Sequence, residues 1–391
     1  RGREVAIKRV RRSAGDDVQE AHYRRRFFAA EAALVGRLQH PNVVQILDAV
    51  SEGERLPYLV MEYVPGGSLK RFCSPDALLP LAQVLEIGFK CAMALDYCWR
   101  QGLIHRDVKP ANILGTLEGE QVVDLKITDF GSVFARDADS TQVHRVGSRS
   151  YMAPEQLDGD VVDCRADIYS LSAVLYHLVS GRPPFEAPDQ RTMMVQIFQA
   201  APPPLGALRE GVPEPLVRLV ERGLAKRPAE RPADWGEFAQ ALSRMASARL
   251  VPAGAQQAVL DSERFTLLRA QELFARFGDV ELWEVVHRGR WERHAPGAAL
   301  YRRGDVGNDF HVVTEGEVEV FRDGERVARL GAGTSVGEMA WLAPSPELRR
   351  HAADVVVSQP TTTVSFTPES MARLSLTTMN AFDKAFIAVL V

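Results

Sequence analysis

Apolar and polar residues alternate in VAIKRV (5–10) and in PYLVMEYV (57–64), and this period of two predicts strands. FFAAEAALVGRL (27–38) and LAQVLEIGFKCAMALDYCW (81–99) instead repeat their apolar positions every three to four residues, which predicts helices. The first part of the chain therefore reads as a few strands followed by many helices. The pattern fades in ASARLVPAGAQQAVLDS (246–262), where Pro, Gly and Gln accumulate, so a linker is expected there. After a helical piece, RFTLLRAQELFARF, the segments DFHVVTEG, EVEVFRDGERVARL, ADVVVS and TTVSF alternate and are parted by Gly and turn dipeptides, an all-β signature. The expected domains are 1–245, a linker at 246–262, and 263–391.

Length and composition narrow the class. A chain of 391 residues is long for one core, and 46% hydrophobic with 25% charged residues is a globular balance. The net charge of -4 leaves no overall basic field, so nucleic acid is not expected as a partner. KRVRR (8–12) and YRRR (23–26) make the N-terminal region locally basic, as a solvated helix face or a phosphate-binding patch. Cys73, Cys91, Cys98 and Cys164 form no CxxC pair and have no histidine at metal-ligand spacing, so reduced thiols in the cytoplasm are expected. No apolar run reaches bilayer-spanning length.

HRDVKPANIL (105–114) resembles the catalytic loop of the eukaryotic-type (Hanks-type) protein kinases, with Lys109 typical of serine/threonine-directed members. The resemblance extends in order through VAIK with Lys8, Glu31 ahead of LQHPNVV, the loop itself, DFG at 129–131 and MAPE at 152–155. It implies ATP and Mg²⁺ as cofactors and a protein as substrate. By resemblance, Asp107 orients the substrate hydroxyl, Lys109 neutralises the moving phosphoryl group, Asn112 and Asp129 hold Mg²⁺, and Lys8 paired with Glu31 meets the α- and β-phosphates. Taken alone, Glu31 is an ordinary helix carboxylate. In YLVMEYVPGGSL, Met61 falls at the gatekeeper position and the backbone of Glu62 and Val64 at the adenine edge; Ala6 and Leu114 would enclose the ring, though on bare sequence both are core residues.

Further pieces follow. VGSRSYMAPEQL puts Ser148 near the catalytic aspartate, Asp167 of DIYSLSAVLYHLVSGRPPF is expected to brace the catalytic loop, and Arg231 of KRPAERP to pair with Glu155 inside the helical lobe. Ser172 replaces a glycine common in the family, a change that a helix tolerates. Arg106 implies a phosphate on the activation loop, with Ser140, Thr141 and Ser132 as candidates; a mobile loop also contains serines without that role.

ALYRRGDVGNDFHVVTEGEVEVF (299–321) and GTSVGEMAWLAPSPELRRHAADVVV (333–357) resemble the roll and phosphate cassette of the cyclic nucleotide-binding domain. Gly337 and Glu338 fit that cassette. His351 stands where the family has arginine, with Arg350 one residue away and Arg349 before it, so cyclic AMP or cyclic GMP, another anion, or an unliganded scaffold all remain open. Phe382, Phe386 and Leu390 have helical spacing and read as packing against the roll.

The fold class expected is multidomain: an α+β bilobal kinase-like fold, then an all-β jelly roll with flanking helices. The function expected is ATP-dependent serine/threonine protein kinase activity under a cyclic nucleotide-binding-like domain; the alternative is a pseudokinase or sensor scaffold. No glycine-rich loop precedes VAIK, so the chain is expected to be cut at both ends and, as it stands, to bind ATP poorly.

Overall fold

The computed structural model describes residues 4–9, 28–29, 31–50, 57–119, 121–130, 149–248, 250, 261–342 and 349–390. Ser132, Ser140, Thr141 and Ser148 lie outside them, as do residues 23–26 and most of the 246–262 segment. The chain divides into two compact units, Arg1–Ala258 and Val259–Val391.

In the first unit, strands β1 (Val5–Arg9), β2 (Ile46–Val50) and β3 (Tyr58–Glu62) form an antiparallel sheet in the order β1-β3-β2. The register pairs Ala6 with Met61 and Lys8 with Leu59, and the period of two puts Ala6 and Lys8 on one face. A hairpin of β4 (Ile113–Glu118) and β5 (Gln121–Ile127) follows the catalytic-loop sequence. It is tied back to the segment before β2 by Ile127 N donating to Asn42 O at 2.8 Å and Val44 N to Ile127 O at 2.8 Å. Helical conformation in the segment carrying Glu31 ends at residue 32, sooner than the periodicity predicts. One α-type bond, Ala33 N to Ala29 O, gives way to the tighter bonds Leu34 N to Glu31 O and Arg37 N to Leu34 O, and Gly36 turns the chain at φ 69°.

The helix Leu81–Arg100 is buried on every side through its middle, from Ile87 to Asp96, and packs beside β5. The helix Cys164–Ser180 starts on an Asp163 side chain that accepts from Arg165 N at 2.8 Å and stops at left-handed Gly181. Ser172 lies inside that helix, where its hydroxyl donates to Ile168 O at 2.8 Å. The facing helix Glu214–Gly223 makes room for it: a Cβ on Gly223 would come within 1.8 Å of Ser172 Oγ. The serine that replaces a common glycine is thus matched by a glycine on its neighbour. Cys91, Cys98 and Cys164 are buried and all four cysteines are free thiols; burial pushes the half-buried Cys73 up to about 12.

In the second unit, helices Asp261–Arg269 and Asp279–Arg288 precede the strands. Strands β6 (Arg290–His294), β7 (Ala299–Tyr301), β8 (Phe310–Glu315), β9 (Glu317–Arg322), β10 (Glu325–Gly331), β11 (Ser335–Val336), β12 (Asp354–Val357) and β13 (Thr361–Phe366) form antiparallel sheets ordered β10-β9-β12-β7 and β11-β8-β13-β6. This is a double-sheet roll. Asp323 and Gly324 both take positive φ, 52° and 81°, which joins β9 to β10 by a tight two-residue turn. Tyr301, Val313, Val318, Val336, Val355 and Val357 fill the space between the sheets. The closing helix Leu376–Leu390 packs Phe382 and Phe386 on Phe310 of the roll, with centroids 5.6 and 5.0 Å away.

Candidate active site

Three stretches far apart in sequence meet at the Lys8 ammonium. Its Nζ donates to Glu31 Oε1 and Oε2, both at 2.8 Å, and to Asp129 Oδ1 at 2.6 Å. Burial alone would lower the Lys8 pKa, but the carboxylates of Asp129 and Glu31 outweigh it and hold the ammonium above its ordinary value. Glu31 is buried, whereas Lys8 and Asp129 remain more than a third open to solvent. The pair is therefore anchored on one side and accessible on the other. Asp129 has a left-handed backbone, φ 68°, which swings its carboxylate toward Lys8 while the next residue, Phe130, is buried against the His105 ring at 4.6 Å between centroids.

The loop 105–112 is held from beneath. Asp167 on the buried helix accepts His105 N at 2.7 Å on Oδ2 and Arg106 N at 2.8 Å on Oδ1, which supports Arg106 in its left-handed conformation, φ 63°. Asp107 N donates to His105 Nδ1 at 3.2 Å, so the ring carries its proton on Nε2 and donates to Thr128 O at 3.0 Å. Gln156 Nε2 donates to Arg106 O at 3.0 Å. On this platform Asp107, Lys109 and Asn112 converge. Lys109 Nζ donates to Asp107 Oδ2 at 2.8 Å, and Asn112 Nδ2 donates to the same oxygen at 2.9 Å and to Asp107 O at 2.8 Å. Thr128 N donates to Asn112 O at 2.9 Å, joining this cluster to the strand that leads into Asp129.

In the second unit, Gly337 (φ 89°) opens the short helix Glu338–Trp341. A side chain on Gly337 would collide with the Tyr301 hydroxyl at 2.6 Å and the ring at 2.7 Å, so only glycine fits. The Glu338 carboxyl is half-buried, Oε2 has no hydrogen-bond partner among the described residues, and desolvation pushes its pKa up. Arg350 does not join it: the side chain is exposed and donates through Nη1 to Gly304 O at 2.6 Å. His351 is buried and stacks on Tyr301 at 3.8 Å between centroids. Arg349 is half-buried, with Nε lacking a partner among the described residues.

Comparison with protein families matches residues 1–244 to the protein kinase domain and residues 291–377 to the cyclic nucleotide-binding domain. The chain belongs to the protein kinase family. Its kinase domain is similar to serine/threonine-protein kinase PknB of Mycobacterium leprae, 36% identical over 273 residues that cover 68% of this chain and 42% of that protein. It is also similar to a probable serine/threonine-protein kinase of Clostridium perfringens, 39% identical over 53% of this chain and 30% of the relative, and to probable PknB of Bifidobacterium longum, 36% identical over 61% and 35%. The chain thus spans less than half the length of the curated relatives it matches.

Around the kinase cleft, Ala6 and Met61 are cross-strand neighbours, Leu114 is half-buried in β4, and Val64 is buried. The Glu62 side chain is taken up by Lys126 Nζ at 3.0 Å and Gln45 N at 2.8 Å, and its own N–H donates to Gln45 O at 3.0 Å. Arg231 is wholly buried in the kinase domain, with Nη1 and Nη2 donating to the two Glu155 oxygens at 2.6 and 2.8 Å. Lys126, Gln156 and the Thr128 carbonyl escaped the sequence reading. Lys126 binds Glu62 and the Pro41 carbonyl, Gln156 donates to the Arg106 carbonyl and accepts from nearby Ala153 N, and the Thr128 carbonyl accepts from His105; no motif marks these contacts, most of them between distant stretches.

Proposed function

We propose that this kinase domain transfers the γ-phosphate of ATP to serine or threonine hydroxyls of a protein substrate. The observation that carries the reading is the Lys8 bridge between Glu31 and Asp129 beside the Asp107, Lys109 and Asn112 cluster. Both Asp107 bonds from these partners fall on Oδ2, so Oδ1 is the oxygen assigned to the incoming hydroxyl, whose proton it accepts as the phosphate is taken up. Lys109, already at hydrogen-bond distance from Asp107, lies where positive charge offsets the transferring group. Held by Glu31, Lys8 offers its charge to the α- and β-phosphates.

The donors fit Mg²⁺. Both amide hydrogens of Asn112 are engaged by Asp107, which leaves Oδ1 free to ligate, and Asp129 keeps a second carboxylate oxygen beside the one on Lys8. When bound, Mg²⁺ supplies charge neutralisation at the β- and γ-phosphates. Asn112 and Asp129 would hold it.

The second unit is read as a sensor whose ligand favours one state of the kinase domain over another, because only unequal binding to two states shifts an equilibrium. Glu338 supports a ribose-like diol as that ligand's polar part, and cyclic AMP and cyclic GMP are the compounds to try first. Phosphate transfer from Mg-ATP to the chain itself and to a basic protein is the test, run on the 391-residue chain and on any longer natural form of it, with and without cyclic nucleotide. Transfer lost in Asp107→Asn supports the kinase reading. No transfer above that variant, from folded protein, leaves a scaffold.

A further inference from the structure

The interior of the roll holds a polar seam that neither reading above uses. Thr361, Thr363 and Ser365 of β13 share one face and are buried. The register sets His294 of β6 opposite Thr361 and Glu292 opposite Thr363, while His311 of β8 stands opposite Ser365. Glu292, His294 and His311 thereby offer ligand atoms that all lie within 4.8 Å of one another. Two of these side chains already aim at one point: His294 Nε2 lies 2.9 Å and His311 Nδ1 3.0 Å from the same oxygen, Thr363 Oγ1. A hydroxyl has a single proton and can donate to only one of the two rings.

The geometry points to a binding site for one divalent transition-metal ion of the Zn²⁺ class, with Glu292, His294 and His311 as its protein ligands. Two imidazoles and one carboxylate are a donor set that Zn²⁺ takes readily, and imidazole nitrogen discriminates against Mg²⁺ and Ca²⁺. Bonds of about 2.0–2.1 Å to the ion need donor atoms roughly 3.3 Å apart, a closure that side-chain rotation on fixed strands supplies. The surroundings suit it. His311 Nε2, the nitrogen turned away from Thr363, faces Asp309 Oδ2 at 3.6 Å, the carboxylate–histidine–metal arrangement that orients a ligand ring. Glu292 Oε1 is paired with Arg290, a highly exposed side chain, at 2.9 Å, which leaves Oε2 for the ion. A bound ion would cross-link β6 to β8 over β13.

The test is titration of the 391-residue chain with Co²⁺ and Zn²⁺ in about 1 mM Mg²⁺, which occupies oxygen-donor sites without displacing an imidazole-bound ion. Wild type is expected to bind one equivalent more than His294→Ala and to show the visible absorption of four-coordinate Co²⁺. Glu292→Gln is expected to bind at least about tenfold more weakly. His294 and Glu292 are half-buried, so they carry the test in place of buried His311. Equal binding by wild type and both folded variants, with no four-coordinate Co²⁺ spectrum, would overturn the site.

Discussion

The two units present a completed polar site and an uncompleted one. Around Lys8 and Asp107, carboxylates that the fold brings inward meet donors from distant stretches: Glu31 meets Lys8, Asp167 meets two backbone amides, and Asp107 meets Lys109 and Asn112. At the cassette, Glu338 is half-buried with one carboxylate oxygen unpartnered among the described residues, its desolvation offset only in part by Ser335 and its own backbone amide, and the nearby position expected to hold arginine carries His351 stacked on Tyr301. A site whose charges are mutually satisfied is stable before any ligand arrives. A half-buried carboxyl with one oxygen withdrawn from water and unpartnered carries a cost that a ligand, or a proton, would relieve. The contrast implies that variants in the first unit lose function or stability, while some in the second gain stability.

The largest effect is expected at Asp107. Asp107→Asn should reduce phosphate transfer by about 10²–10⁴-fold while leaving the fold intact, since the amide still accepts from Lys109. Measurement is by single-turnover transfer from labelled ATP. Next comes the buried pair. Glu155→Gln or Arg231→Met leaves one charge unpaired in the helical lobe and should cost about 3–5 kcal/mol in denaturant unfolding of the kinase domain. If the loss is under about 1 kcal/mol, the pair is better solvated than its burial indicates.

A smaller effect tests how the Ser172 departure is absorbed. Gly223→Ala should destabilise by about 1–3 kcal/mol, because the new methyl meets Ser172 Oγ and Cβ, and Ser172→Gly in the same chain should recover most of that loss. Failure of the second change to rescue the first would mean that the helices move apart instead.

Much of this was legible because kinase chemistry needs particular side chains at fixed intervals. Lys8, Glu31, Asp107, Lys109, Asn112 and Asp129 can be named from the order of motifs that resemble the family's, and the structure gathers them into two clusters, Lys8–Glu31–Asp129 and Asp107–Lys109–Asn112, joined through Thr128 N and Asn112 O. What the order could not give is what holds them: the bonds from Gln156 to the Arg106 carbonyl and from Lys126 to Glu62 and to the Pro41 carbonyl join stretches distant in sequence, which no motif marks. The roll was readable from alternation and turn residues, and its cassette only in part. Arg350 was a candidate by proximity in sequence; on the folded chain it faces solvent and binds Gly304 O, as expected when a one-residue step reverses the face. The His294–Thr363–His311 seam depends on register across three strands, and WERH alone reads as an ordinary edge segment.

The smallest effect, and the sharpest probe of the comparison, is at Glu338. Desolvation raises its carboxyl pKa in the folded state above the unfolded value, so the native chain binds that proton more tightly and stability falls as pH rises between the two values. Glu338→Gln removes the half-buried charge. The variant should therefore melt above wild type near neutral pH, and the difference should shrink toward zero as pH falls below the ordinary glutamate range, where wild type is protonated in both states. Taking the difference between the two proteins cancels the histidines, which titrate in both. Arg350→Ala, whose side chain is exposed and bound among the described residues through Gly304 O, should leave the same melting curve unchanged. If Glu338→Gln instead melts below wild type at neutral pH, then the carboxylate is already satisfied without a ligand, and the contrast between the two sites fails at its second member.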